Sequence, residues 1–280
     1  MFRLTVAGLL LGLGATAASA QQQPAPLRYS LRNPTPRAQL RKLHPDRPGI
    51  TQSAFTLDPG HFQIETNLLR LRNGREDGLR HRELLLNHAV LKLGLSERTD
   101  VQVKLESYSI EKEWPTGQAE PERHRGFGDV SVRLKRNLIG DDENRPAGLA
   151  ISGYVSVPTG GALGRGGLEA GLSLPFEYRL AESTGLSVQL QGDLEHDRDA
   201  RRHYLALQPA ATINHDFNSV LGSYAELMSH WDSRNGRWRN LLNIGPELTL
   251  SENVQLDMGA GLPLNSRTDR EFFLGFTYRR

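Results

Sequence analysis

Hydrophobic and polar residues alternate with a period of two over most of the chain after residue 60. In residues 168–180, Leu, Ala, Phe and Tyr side chains largely alternate with Glu, Ser and Arg side chains, and residues 128–135, 186–195 and 254–262 follow the same pattern. Successive side chains of a β-strand point to opposite faces, so this alternation predicts strands with one apolar face and one polar face. The chain is therefore predicted to be all-β.

About twelve such strands can be counted along the chain. Most have at least the roughly 9–11 residues that a tilted strand needs to cross a bilayer, whereas strands of soluble sheets usually have about five or six. The approximate spans are 61–72, 82–95, 100–112, 126–138, 148–158, 167–180, 186–197, 203–216, 220–231, 239–250, 254–262 and 271–278.

The connections between these strands alternate in length. Tight polar turns (96–99, 181–184, 216–219 and 251–253) alternate with generally longer links (114–125, 159–166, 198–202 and 232–237), and 139–147 is the exception, a long link on the short-turn side. Short turns at one rim and longer loops at the other are typical of outer-membrane barrels. A soluble β-sandwich would also alternate, but strand length and rim asymmetry favour a transmembrane antiparallel β-barrel, in which closure pairs every backbone donor.

The amino-terminal region predicts export. Arg3 precedes the apolar run 4–13 and the small residues that end at Ala20, which is the order of a secretory signal peptide (residues 1–20). The run is shorter than the roughly 20 apolar residues of a spanning helix. Residues 21–59 are rich in Gln, Pro and Arg without an apolar period, so they are predicted to form an irregular periplasmic leader. A solvated tail is favoured over a plug in the pore, and the barrel is predicted to occupy residues 60–280.

Composition and motifs exclude several classes of chemistry. The sequence contains no cysteine, so disulfides, thiolate metal sites and cysteine nucleophiles are ruled out. The 34 Lys and Arg nearly balance the 32 Asp and Glu, which gives no reason to expect nucleic acid. No G-x-S-x-G, H-E-x-x-H or P-loop motif is present, and the nine histidines lack metal-ligand spacing, so no catalytic, cofactor or metal residue is predicted. The glycine-rich stretch 160–167 precedes a strand rather than a helix, which favours a surface loop over a phosphate cradle.

The charged residues on the polar strand faces are the candidate functional residues. If the apolar faces meet lipid, these side chains project into the barrel lumen, where they either line an open pore or form a salt-bridge network that fills a small barrel. Both interpretations stay open. The residues predicted to face the lumen are Lys104, Glu106, Arg133, Lys135, Glu169, Glu177, Arg179, Asp193, Glu195, Glu226, Glu247 and Asp257.

Four segments resemble a known family of outer-membrane proteins. They are residues 46–65 (DRPGITQSAFTLDPGHFQIE), 94–101 (GLSERTDV), 126–130 (GFGDV) and 157–160 (VPTG), and they are similar to the MetA-pathway of phenol degradation family. The resemblance covers roughly residues 46–280 and implies a barrel transporter linked to uptake of aromatic or other hydrophobic compounds. One departure is the carboxyl end: such barrels usually end on an aromatic residue, whereas here Tyr278 is followed by Arg279 and Arg280.

The sequence thus predicts an outer-membrane channel or transporter of a Gram-negative bacterium that passes small solutes, and not an enzyme. The expected partners are outer-membrane lipid and lipopolysaccharide, the barrel-assembly machinery and an unidentified small solute, with no nucleic acid and no cofactor. The alternatives are a phospholipase-like barrel enzyme and a structural or adhesive barrel with binding loops. Ser229 and His230 are adjacent, so they point to opposite faces of one strand and cannot pair directly.

Overall fold

The computed structural model describes residues 29–76, 78–115, 117, 119–140 and 145–280, so the predicted signal peptide lies outside the described residues. Among the described residues, no helix has the length and apolar character needed to span a bilayer. In the described part of the chain, a single 3-10 turn, Arg37–Gln39, precedes fourteen strand segments. These are β1 Phe62–Glu76, β2 Leu79–Ser96, β3 Thr99–Leu105, β4 Tyr108–Trp114, β5 Glu122–Gly126, β6 Val130–Ile139, β7 Ala147–Val157, β8 Glu169–Ala181, β9 Thr184–Asp197, β10 Arg202–Asp216, β11 Leu221–Asp232, β12 Arg237–Ser251, β13 Val254–Pro263 and β14 Arg270–Arg279.

The segments form one closed antiparallel barrel, because β1 pairs with both β2 and β14. Two of the crossings are interrupted in the middle. Segments β3 and β4 pair with successive parts of β2 and together make one crossing of the barrel wall. On their other side, β3 pairs with β6 and β4 pairs with β5, so β5 and β6 together make the next crossing. Fourteen segments therefore make twelve crossings, and the predicted twelve-stranded antiparallel barrel is confirmed.

The barrel is apolar on the outside and polar on the inside. On β8 and β9, Leu172 is 62% exposed and Leu190 is 54% exposed, whereas Ser173 and Gln189, one position away from each, are buried. Large apolar side chains without protein cover suit the hydrocarbon of a bilayer, and the polar side chains then form the core. The period-two pattern of the sequence thus corresponds to lipid face and lumen face.

One connection differs from the prediction. Strands β1 and β2 continue past the predicted ends and meet in a tight hairpin, with Asn73 opposite Arg82 and Arg75 opposite Arg80. The predicted spans 61–72 and 82–95 are therefore too short at this end, because backbone pairing continues there although apolar alternation has stopped. The predicted strand 126–138 is also interrupted, at residues 127–129.

Candidate functional site

The leader enters the barrel instead of trailing into solvent. Residues 41–58, here called the plug, lie within the half of the lumen next to the short turns, here called the short-turn half, and their backbone and side chains bond to strands on all sides. Ala54 is fully buried, and Gln52 is only 4% exposed. The expectation of a solvated tail was therefore wrong for this part of the leader, which remains irregular in conformation.

The first anchor of the plug is Asp46, whose carboxylate lies between two wall lysines. Its oxygens accept hydrogen bonds from Lys135 Nζ at 2.6 Å and from Lys92 Nζ at 2.7 Å. Both lysine side chains are almost completely buried, and Lys92 also contacts Glu65. Burial opposes ionisation of Asp46, but the adjacent ammonium groups of Lys135 and Lys92 outweigh it and hold the pKa of Asp46 well below its ordinary value. Two buried cations and a buried anion thus fix the start of the plug.

The second anchor is Arg47 on the opposite side. Its guanidinium donates two hydrogen bonds to the carboxylate of Asp257 on β13, at 2.7 and 3.0 Å, and a third to Asn67 Oδ1 on β1 at 3.0 Å. The bidentate pairing fixes orientation as well as position. Gly275 leaves the space that the guanidinium occupies, since a Cβ there would lie 1.6 Å from Arg47 Nη2.

The turn of the plug is held through its backbone. The Glu226 carboxylate on β11 accepts hydrogen bonds from the backbone N–H groups of Ile50 and Thr51 at 2.9 Å, and from Thr51 Oγ1 at 2.7 Å. Gln189 Oε1 accepts from the N–H of Gln52 at 2.9 Å. Wall side chains thereby satisfy backbone groups that no strand pairs, as buried backbone requires.

Two further wall contacts hold the centre of the plug from β8 and β6. Glu177 accepts from the N–H of Ala54 at 2.9 Å, and Asn137 Nδ2 donates to the carbonyl of Ala54 at 2.9 Å. The plug segment between Asp46 and Asp58 is therefore surrounded by carboxylate and amide groups rather than by apolar side chains.

The base of the plug is joined to the barrel seam. Arg41 Nε donates to Asp58 Oδ1 at 2.7 Å, and Arg279 Nη1 of β14 donates to the carbonyl of Arg41 at 2.8 Å. The N–H of Gly60 donates to the carbonyl of Gly94 on β2 at 2.9 Å, two residues before the first strand begins to pair. The plug therefore ends where β1 starts, between the first two strands and the last one.

The other half of the lumen, next to the longer loops and here called the long-loop half, holds a second charged group. Tyr154 donates to Asp193 Oδ1 at 2.9 Å, and Tyr204 donates to Glu195 Oε2 at 2.5 Å. His230 Nε2 lies 3.6 Å from Glu195. This region joins carboxylates with aromatic rings on strands β7 to β11.

The glycine-rich loop between β7 and β8 folds over this second group. The buried carboxylate of Asp129 accepts from the N–H of Thr159 at 3.1 Å and from the N–H of Arg165 at 2.7 Å. Burial disfavours the charged guanidinium of Arg165, but the carboxylates of Glu195 and Glu169 outweigh it and raise the pKa of Arg165. Asp129 thus holds this surface loop in place, and the loop positions the Arg165 guanidinium beside the carboxylates of Glu195 and Glu169.

A cavity of about 640 Å³ remains between the plug and the wall on the β7 to β13 side. Its lining includes Lys42 and Arg47 from the leader and Glu177, Arg179 and Glu247 from the wall. The plug therefore does not fill the short-turn half of the lumen completely, and charged groups of both signs face the remaining space.

The twelve residues named from the sequence fall into four groups. Lys135, Glu177, Glu226 and Asp257 contact the plug, and Arg179 and Glu247 line the cavity. Lys104 and Glu106 pair with each other at 3.0 Å, and the remaining four belong to strands around the long-loop half. Those four are Arg133, Glu169, Asp193 and Glu195.

Sequence reasoning missed the plug residues Asp46 and Arg47 and the wall residues Glu65, Lys92 and Asp100. A signal was present for two of them. Lys92 is a single cation in a mostly apolar stretch of β2, and Asp46 opens the segment that resembles the family. Among the described residues, no group of three or more His, Asp or Glu side chains is arranged to hold a metal ion.

Comparisons with known proteins agree with the barrel. A family model described as "Putative MetA-pathway of phenol degradation" matches residues 45–279, and no curated protein matches the chain. Among solved structures, the chain is similar to the COG4313 outer membrane channel from Pseudomonas putida F1, with 13% identity, a TM-score of 0.58, and coverage of 79% of this chain and 94% of that one. It is also similar to the transport unit of the autotransporter AIDA-I from Escherichia coli, with 11% identity, a TM-score of 0.51, and coverage of 79% and 89%.

Proposed function

Because the chain belongs to the MetA-pathway of phenol degradation family, we propose that it is an outer-membrane channel for small solutes whose resting state is closed by its own plug. The proposal includes export by a cleaved signal peptide, residues 1–20. In this orientation the short turns and the plug base face the periplasm, and the longer loops face outward.

The observation that supports a channel is the chemistry of the plug contacts. The wall holds residues 41–58 through carboxylates, amides and ammonium groups, as at Asp46, Arg47 and Thr51. Water can replace each of these bonds when the plug leaves, whereas apolar packing would leave a hydrophobic lumen behind. The barrel wall is closed by its own backbone pairing and does not need the plug for that.

The family description and the aromatic groups in the lumen support the solute class that we propose. Tyr154 and Tyr204 present rings and hydroxyls beside carboxylates, and Arg133 lies 5.8 Å from the centre of the Tyr154 ring. Such a surface offers stacking and hydrogen bonds to small aromatic solutes that carry hydroxyl groups. We therefore propose small solutes, aromatic compounds among them, as the cargo.

Transport fits the barrel better than catalysis. His230 points to the lumen, where it contacts Glu195, and the neighbouring Ser229 lies on the other face of β11. A serine nucleophile needs its base within hydrogen-bond reach, and this pair does not provide one. We propose on this ground that the phospholipase-like alternative does not apply.

Two variants with opposite effects test the channel. Deleting residues 21–57 should convert a low conductance in planar bilayers into a stable open one. In the second variant, Thr51→Cys is combined with Thr212→Cys, because the two Oγ1 atoms lie 2.9 Å apart. A disulfide at this contact should hold the channel closed until a reductant is added, with Thr51→Cys alone as control.

Uptake of phenol by vesicles should change in the same direction as conductance: it should be high in the deletion variant and low in the oxidised double-cysteine variant. A deletion variant that is folded by gel mobility but conducts no current and admits no solute would exclude the channel.

A further inference from the structure

A row of cations crosses the outer surface of the barrel near the extracellular rim. Register places Arg270 of β14 opposite Asn73 of β1, Asn73 opposite Arg82 of β2, Arg82 opposite Lys112 of β4, and Lys112 opposite Arg123 of β5. Paired residues in an antiparallel sheet point to the same face, so these side chains form one transverse row. Five neighbouring strands thus contribute four cations and one amide.

The row lies on the outside of the wall. Arg82 and Arg123 are exposed, and Arg82 Nε donates to Asn73 Oδ1 at 2.7 Å, which orients its guanidinium along the row. The acids of the same strands, such as Glu83 and Glu111, occupy alternate positions and face inward. Strand alternation therefore keeps these carboxylates on the lumen side, where Glu83 contacts the inward cation Arg72, and leaves the cations of the row on the outside.

More cations flank the row. Arg75 pairs with Arg80 one step farther from the membrane, and the Arg80 guanidinium lies 4.3 Å from the centre of the Trp114 ring. Within the described residues, none of the four cations of the row forms an ion pair with a carboxylate. Several positive charges within a few strand spacings, about 5 Å each, repel one another unless an anion lies among them.

The next row toward the membrane is apolar on four of its five strands. It contains Phe272, Leu71, Leu84 and Ile110 at the matching outward positions of β14, β1, β2 and β4, and Arg125 at the position on β5. On β14, β1, β2 and β4 the polar row therefore begins where the apolar surface ends. At the outer edge of a bilayer, this is the level of lipid headgroups.

We propose that this cationic row is a binding site for a phosphorylated glycolipid of the outer leaflet, with its phosphates on Arg82, Lys112 and Arg123 and its acyl chains along the apolar row below. Guanidinium groups match phosphate oxygens in bidentate geometry. Continuity of charge and apolar surface favours a lipid over a soluble anion or an acidic protein. The proposal rests on the membrane orientation given above but not on what the channel passes.

The test compares lipid binding by the full chain and two triple variants. In the first, Arg82, Lys112 and Arg123 are each changed to Gln. In the matched control, Arg98, Arg136 and Arg145, three exposed cations of the other rim, are changed to Gln, which removes the same charge. Each protein in detergent is titrated with bisphosphorylated lipid A, with dephosphorylated lipid A and with phosphatidylglycerol, and bound lipid is counted by native mass spectrometry.

The first variant should bind bisphosphorylated lipid A more weakly by on the order of a hundredfold, since each cation near an anionic lipid contributes about fivefold. The control should bind like the unmodified chain, and dephosphorylated lipid A should bind weakly to all three. Equal binding by both variants would overturn the proposal. Equal binding of phosphatidylglycerol would also overturn it, because the row would then take any anionic lipid. Gel mobility before and after heating shows that each barrel is folded, and conductance of the first variant should be unchanged.

Discussion

At the scale of single residues, the plug is held by charged side chains that are buried beside side chains of the opposite charge. Lys135 is fully buried and Lys92 is 2% exposed, and Asp46 supplies the carboxylate that both lysines contact. Removing Asp46 would leave Lys135 buried without a counterion among the described residues, while Lys92 keeps Glu65, and an unpaired buried charge costs more than the pair itself contributes. Each anchor of the plug is therefore sensitive to one substitution.

Asp46→Asn should loosen the plug, because the two lysines lose their shared carboxylate. Breaking a buried pair costs about 3–5 kcal/mol, so the open state should become populated and conductance should rise. Glu182→Gln, at an exposed acid in the turn between β8 and β9, is the control. Unchanged conductance in Asp46→Asn would show that this group does not hold the plug.

The same carboxylate predicts the direction of a pH effect. Docking holds the pKa of Asp46 below its ordinary value of 3.8, so protonation favours release. This contribution to docking is complete above that value and is lost as the pH falls through the lower pKa of the docked state. Conductance should therefore rise at strongly acidic pH in the unmodified chain, and Asp46→Asn should lack that rise. A rise at alkaline pH instead would contradict this assignment.

Gly94→Ala should displace the base of the plug. A Cβ at residue 94 would lie 2.1 Å from the carbonyl oxygen of Asp58, which is backbone and cannot rotate away. Gly192→Ala is the matched control, since its Cβ would meet Leu207 Cδ2 at an ordinary 3.7 Å. Limited proteolysis should cut the leader faster in Gly94→Ala than in Gly192→Ala, and equal rates would refute the effect.

At the scale of elements, each strand has a lipid face and a lumen face that tolerate different residues. On β8, Leu172 is 62% exposed on the outside. On β9, Gln191 points inward and donates to Asp193 at 3.0 Å. The same alternation separates these two positions in the sequence and in the barrel wall.

Leu172→Arg should impair assembly, because a cation near the bilayer midplane costs roughly 2–4 kcal/mol. Gln191→Arg adds the same charge to the polar lumen beside Asp193 and should be tolerated. The measurement is the fraction of heat-modifiable folded barrel in membranes. Equal loss in both variants would indicate a sheet buried on both faces instead of a membrane barrel.

The sequence was sufficient for the strands but not for the plug, and the difference has a physical cause. Apolar alternation is local, so Leu172 and Leu190 identify their strands without any distant residue. The plug is specified by contacts between residues far apart in the chain, such as Arg47 with Asp257, which no local pattern reveals. The low apolar content of the leader indicated a solvated tail. A segment that packs inside a polar barrel, however, binds through polar groups, so low apolar content does not exclude a plug.

At the scale of the whole molecule, the two rims have different connections. Turns such as 182–183 join strands at the periplasmic rim in the proposed orientation, and loops such as 158–168 and 233–236 lie at the other rim. The β1–β2 hairpin is the tight exception on the outer side. The plug base lies at the periplasmic rim and the cationic row lies near the outer rim, so the two ends of the barrel differ in structure.

Cysteine labelling should show this orientation in intact cells. Cysteines replacing Gly117 and Asn235 should react with an impermeant maleimide, whereas one replacing Glu182 should react only after the outer membrane is opened. Reaction at residue 182 alone would mean that the barrel is inserted the other way round, and the proposed glycolipid site would then lose its basis.

The seam between β1 and β14 bears on how the protein can be handled. Phe62 and Arg280 exchange backbone hydrogen bonds at 2.9 and 2.8 Å, and Arg279 reaches from the same place to the carbonyl of Arg41. An affinity tag fused after Arg280 would begin at this seam and would perturb closure and plug together. A tag inserted beside Gly236 would not, because a Cβ there meets no described atom within 4 Å. Purification through the β11–β12 loop therefore preserves the closed state that carboxyl-terminal fusion disturbs.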